Sequence, residues 1–100
     1  MNSTTITIKC TNGHIIVVDL KKETPFFEIV ETEERGMGVE NCHEATITAT
    51  CDECDEDINI TLDVWEYPEG VFNHQEILVE DGEIISECDL WPFVSAQNSI

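Results

Sequence analysis

Along most of this chain apolar and polar residues alternate with a period of two, the period of a β-strand. Ile6, Ile8 and Cys10 alternate with Thr5, Thr7 and Lys9. His14 to Leu20 is rich in β-branched residues and continuously apolar over Ile15-Ile16-Val17-Val18, which predicts a strand buried on both faces. Thr11-Asn12-Gly13 lies between the two runs, and Asn-Gly is a strong hairpin signal because both residues tolerate positive φ. Phe26 to Val30, following Pro25, reads as a third strand. Glu31 to Glu44 is polar, with glycines at 36 and 38, and reads as a long loop with room for functional content.

The clearest hairpin comes next. Ala45, Ile47, Ala49 and Cys51 share one face against Thr46, Thr48 and Thr50; Ile58, Ile60, Leu62 and Val64 share one face against Asn59, Thr61 and Asp63. Tyr67-Pro68-Glu69-Gly70 is a turn signal, and strands near Ile77-Leu78-Val79 and Ile84-Ile85 flank the turn Glu80-Asp81-Gly82. Trp91-Pro92-Phe93-Val94 reads as an edge or tail that closes the core. No segment sustains a helical period. The pattern predicts an all-β or β-dominated fold, a single antiparallel sheet or sandwich-like domain over residues 1–100 with about six or seven short strands.

Charge changes the picture. Twenty-two acids face four bases, Lys9, Lys21, Lys22 and Arg35, for a formal net charge of -18. From Glu23 onward Arg35 is the sole base. Self-repulsion on this scale works against a compact state, and solubility alone asks for a net charge of only about 2–8. Direct nucleic-acid binding is disfavoured, since no basic stripe exists to neutralise phosphates, and an anionic membrane would repel the chain. Basic proteins remain as partners.

The start, Met1-Asn2-Ser3-Thr4-Thr5, lacks a positive region and a long apolar core, so no secretory signal is read. With five cysteines, an odd number, the expectation is reduced thiols and a cytoplasmic location. Asn2-Ser3-Thr4 and Asn59-Ile60-Thr61 then match the glycosylation pattern by chance.

Cys51-x-x-Cys54 falls at the tip of the predicted 45–64 hairpin, and Cys10-x-x-x-His14 brackets the Asn-Gly tip. Two thiolates on a tight turn can face one metal ion, and structural zinc needs a second pair. The two tips resemble the layout of a zinc ribbon over segments 6–18 and 45–64. Asp55 stands where such knuckles usually carry glycine, and the first tip has Cys-x-x-x-His in place of Cys-x-x-Cys. The resemblance implies a structural zinc site of Cys10, His14, Cys51 and Cys54. Two other readings stay open, packed free thiols and a redox pair, the latter opposed by Asp52, Glu53 and Asp55, which raise thiol pKa. Cys42-His43 is poorly placed as a nucleophile–base pair, because neighbours on an extended chain point to opposite sides. Cys88 reads as packing.

The acids match no catalytic pattern, and no phosphate loop, nucleophile elbow, metalloprotease motif or EF-hand spacing occurs. The chain is therefore read as non-enzymatic. In size and charge it resembles the immunity proteins that neutralise bacterial toxins, and phage-type DNA mimics. That resemblance implies an inhibitor of a basic toxin nuclease or nucleic-acid-binding protein, with no cofactor required. The alternative is a small zinc-ribbon-like adaptor. Partner contacts are expected from Glu31, Glu33, Glu34 and Glu40, from Asp52, Glu53 and Asp55, and from Trp65, Glu66, Tyr67 and Glu69 in an aromatic turn region.

Overall fold

A computed structural model describes residues 4–98. Asn2 and Ser3 of the first glycosylation pattern, and the chain start read for a signal, lie outside the described residues. The fold is β-dominated, with seven strands and two short helices among the described residues. In chain order these are β1 (Thr5–Cys10), β2 (Ile15–Asp19), α1 (Leu20–Glu23), β3 (Glu28–Arg35), β4 (Gly38–Thr50), β5 (Asp57–Glu66), β6 (Phe72–Val79), β7 (Gly82–Ser86) and α2 (Trp91–Asn98). Every strand pairing is antiparallel.

The strands form two sheets, where a single one was the simplest expectation. One has the order β2-β1-β7 and the other β3-β4-β5-β6. The tight β6–β7 turn carries the chain from one sheet to the other. Alternation explains how they pack: Ile6, Ile8 and Cys10 from the first and Ile47, Ile58, Ile60, Leu62 and Val64 from the second share one core cluster. Leu20 of α1, Cys88, Leu90 and Val94 complete it, so Cys88 is indeed packing. Each large side chain in such a cluster gains about 1.5–3 kcal/mol from burial.

Three local expectations change. The polar stretch 31–44 is a hairpin, not a loop: β3 runs to Arg35, β4 starts at Gly38, and Glu33 lies opposite Glu40. Its acids hide the strand signal because β3 is an edge strand, exposed along its whole length. β2 is buried on one face only, with Val17 64% exposed, because it too is an edge and the second sheet covers one side. The aromatic turn region keeps its turn to residues 67–71, with a cis Tyr67–Pro68 bond, while Trp65 and Glu66 end β5 and Phe72 opens β6. Trp91 to Asn98 is a helix whose Val94 reaches the core, too short to display a helical period. No helix among the described residues is long and apolar enough to cross a membrane.

β4 is the spine of the molecule. Its thirteen residues span about 44 Å at a rise near 3.4 Å, against a long axis of 48 Å. One end meets the 36–37 turn, the other delivers Cys51.

Candidate metal centre

Two turns meet at that end. In the β1–β2 turn, Gly13 takes φ 88 and donates its N–H to the Cys10 carbonyl at 3.0 Å, while the Cys10 N–H is given to the His14 carbonyl. This tight loop turns the Cys10 and His14 side chains to one side. In the β4–β5 turn, the Asp55 N–H bonds to the Cys51 carbonyl at 2.8 Å, and the Cys51 N–H to the Glu56 carbonyl. Asp55 takes φ 54, the left-handed conformation for which glycine is usual and which aspartate tolerates better than most residues. The knuckle closes without its glycine.

The ligand atoms of Cys10, His14, Cys51 and Cys54 all lie within 4.8 Å of one another, and the group could hold a metal ion. The Cys10 Sγ is 3.9 Å from the Cys51 Sγ and 3.8 Å from the Cys54 Sγ, far beyond a disulfide bond of about 2.05 Å. His14 turns its Nδ1 inward, 3.5 Å from both the Cys10 and Cys51 sulfurs. Its Nε2 faces out to the Glu53 carboxylate at 3.1 Å. A carboxylate behind the far nitrogen is the usual support of a metal-bound imidazole, fixing its tautomer and raising its basicity.

The thiols of the cluster shift one another's proton affinity. Burial pushes the Cys10 thiol up, but N–H groups of His14 and Asn12 and the thiols of Cys54 and Cys51 outweigh it and bring it down to about 7. Contact with Cys51, and then burial, pushes Cys54 up to about 11. Cys10 is thus the favoured thiolate and Cys54 the held proton. A bound dication drives such protons off.

No known protein family matches this chain. Neither a curated protein nor a solved structure matches it.

The residues expected to meet a partner are spread over the molecule. Glu31, Glu33 and Glu34 are exposed on β3, and Glu33 and Glu40 hold Arg35 at 3.0 Å each. Asp52, Glu53 and Asp55 sit on the knuckle, Glu53 behind His14. Trp65 is half-buried and stacked on His74, ring centroids 4.4 Å apart. The Tyr67 hydroxyl accepts the Met37 N–H at 3.0 Å, and Glu69 approaches Asn41. Glu66 is a correction: it is buried and engaged inside the fold, accepting from Asn41 Nδ2 at 3.0 Å and from the Gly70 N–H at 2.7 Å, with His43 Nε2 at 2.6 Å. It is not a surface contact.

Sequence reasoning missed this buried pair and also Asp63, which is 7% exposed with an Oδ1 that meets no hydrogen-bond partner. His43 sits among core positions of β4, at odd numbers with Ala45 and Ile47, and that phase was the available signal. Cys42 points the opposite way, as expected for an adjacent residue on a strand, and burial followed by the charges of Asp63 and Glu44 pushes its thiol up to about 11.

Proposed function

We propose that this chain is a non-enzymatic binding protein whose β-sandwich is closed at one end by a structural zinc ion and whose acidic surface engages a basic protein. The observation that carries the metal is the spacing of the four ligand atoms. Zn–S bonds of about 2.3 Å and a Zn–N bond of about 2.05 Å in a tetrahedron require sulfur–sulfur edges near 3.8 Å and sulfur–nitrogen edges near 3.6 Å. The contacts are 3.8 and 3.9 Å between sulfurs and 3.5 Å from each of two sulfurs to nitrogen. Three thiolates and one imidazole suit zinc, and four protein ligands leave no open position for a substrate. The ion is a staple.

The surface supports the partner. Of twenty-two acids, only Glu33, Glu40, Glu53 and Glu66 meet a basic side chain among the described residues. The remaining field is free to steer a cationic protein and raise its association rate by roughly 10- to 1000-fold at low salt. A basic toxin nuclease or nucleic-acid-binding protein, blocked in the manner of an immunity protein, is the partner class this field suits best. A zinc-ribbon-like adaptor of a larger assembly is the second reading, favoured by the metal geometry.

Metal analysis with native mass spectrometry tests the staple. One zinc per chain is expected, lost in Cys51→Ser/Cys54→Ser; a purified chain that takes up no zinc at neutral pH sinks the reading.

A further inference from the structure

The solvent face of the four-stranded sheet carries a row of carboxylates without a base in it. Glu28 on β3 lies opposite Glu44 on β4, Glu44 opposite Asp63 on β5, and Asp63 opposite Glu76 on β6. Like charges directly opposite on paired strands destabilise a sheet. Acids on β3 have a reason of their own, because charge on an edge strand keeps other strands from adding to it. That reason fails at Asp63, whose strand is paired on both sides. Asp63 stands at the middle of the row, more than nine-tenths buried, with its Oδ1 unpartnered. A threonine, as at position 61 on the same strand, would sit there at no such cost.

We propose that this face is a docking surface for an arginine-bearing protein segment, whose guanidinium groups seat on the Glu28–Glu44–Asp63–Glu76 row with Asp63 taking the central one. The proposal rests on the basic-partner reading and adds the surface and the recognised group. At about 4.8 Å between strands the row is some 14 Å long, which suits several cations spread along a segment. A metal ion needs converging ligand atoms. Among the described residues only the Cys10, His14, Cys51 and Cys54 group brings three or more within 4.8 Å. Guanidinium is planar, weakly hydrated and able to fork between neighbouring carboxylates, which is what a buried acid with an unpartnered oxygen calls for. Beside the row, Glu31 and Cys42 continue the face toward the Trp65–His74 stack, a flat aromatic surface of the kind guanidinium packs on.

The row also carries a proton signature. Burial first, then contact with Glu44 and the charges of Glu44 and Glu76, hold the Asp63 carboxyl up at about 6. The groups facing it are Glu44 from β4 and Glu76 from β6, with Glu28 one strand further on. A guanidinium seated there expels the proton, which passes to the buffer.

The test is calorimetric titration of the zinc-loaded full chain with a deca-arginine peptide at low salt, at pH 6 and pH 8, in buffers of different ionisation enthalpy. Glu44→Gln/Asp63→Asn should weaken binding by at least about tenfold, while Glu80→Gln/Glu83→Gln, an equal charge change on the β6–β7 turn and β7, should stay within about threefold. Wild type should release about half a proton at pH 6 and next to none at pH 8, and Glu44→Gln/Asp63→Asn should release none. Should that variant fail to fold, Glu28→Gln/Glu76→Gln, both exposed, is expected to weaken binding beyond the control. Equal losses in both pairs, or no proton release, overturn the docking face and leave a basic partner standing. A wild-type chain that ignores deca-arginine overturns the basic-partner reading itself.

Discussion

The imidazole of His43 and the carboxylate of Glu66 meet at 2.6 Å inside the sandwich, with side-chain exposures of 2% and 6%. They come from β4 and β5, two residues apart in register, and Asn41 and the turn N–H of Gly70 take up the remaining carboxylate valence. Breaking one side of such a pair leaves an uncompensated buried polar group. His43→Leu is expected to cost about 3–5 kcal/mol, read from urea denaturation at pH 7.

Glu66 also sets an acid limit. Burial pushes its carboxyl up, but the Gly70 N–H, His43 and Asn41 outweigh burial and hold it below its ordinary value of 4.5. Its stabilising contribution is therefore complete above the unfolded value and is lost as pH falls through the lower folded value. Glu66→Gln should be less stable than wild type at pH 7, with the gap closing as titrations are carried below 4.5.

Asp63 has the opposite sign. Its folded value, about 6, lies above its unfolded value of 3.8, so the fold is penalised fully above pH 6 and not below 3.8. Asp63→Asn should be more stable than wild type at pH 7.5, by about 1–3 kcal/mol, and the advantage should shrink as pH is lowered through 6 toward 4. Urea midpoints at several pH values give the difference. A variant that is less stable at pH 7.5 contradicts the unpartnered buried charge.

The support behind His14 is a separate lever. Glu53→Gln keeps size and removes charge from the Nε2 contact, and zinc affinity should fall by about 10- to 100-fold in competition with a chromophoric chelator. On the proposed zinc reading, chelation should lower the wild-type melting temperature by at least about 15 °C, since structural zinc supplies folding energy directly.

Gly82 is fixed by space, not by φ. A Cβ there would lie 2.6 Å from the Lys9 carbonyl oxygen and 3.2 Å from the Val79 Cγ1, at the β1–β7 pairing. Gly82→Ala should cost more than about 2 kcal/mol in thermal or urea melts, whereas the same change at Gly36, where nothing lies within 4 Å, should be nearly neutral.

What was readable in the chain follows from how local each signal is. Cys10-x-x-x-His14 around Asn-Gly and Cys51-x-x-Cys54 at a hairpin tip are local, so all four candidate ligands were legible. That the two tips meet depends on the sandwich, which alternation alone could not pair into two sheets. The 31–44 hairpin was hidden because an exposed edge strand carries no apolar alternation. Asp63 read as one more outward residue, since only register reveals that its neighbours on both sides are acids. Glu66 continues the inward phase of Ile58, Ile60, Leu62 and Val64, and that phase was outweighed by its charge.

Thirteen unbroken residues of β4 join the turn at Met37 to the candidate ligand Cys51. On the proposed zinc reading, a chain without the ion would have loose ends where β4 stops and β5 begins, the kind of exposed segment on which proteolysis starts. Its lifetime inside a cell would, on that reading, follow zinc supply, and the quantity of acidic face on offer would fall in scarcity without any change in how much chain is made.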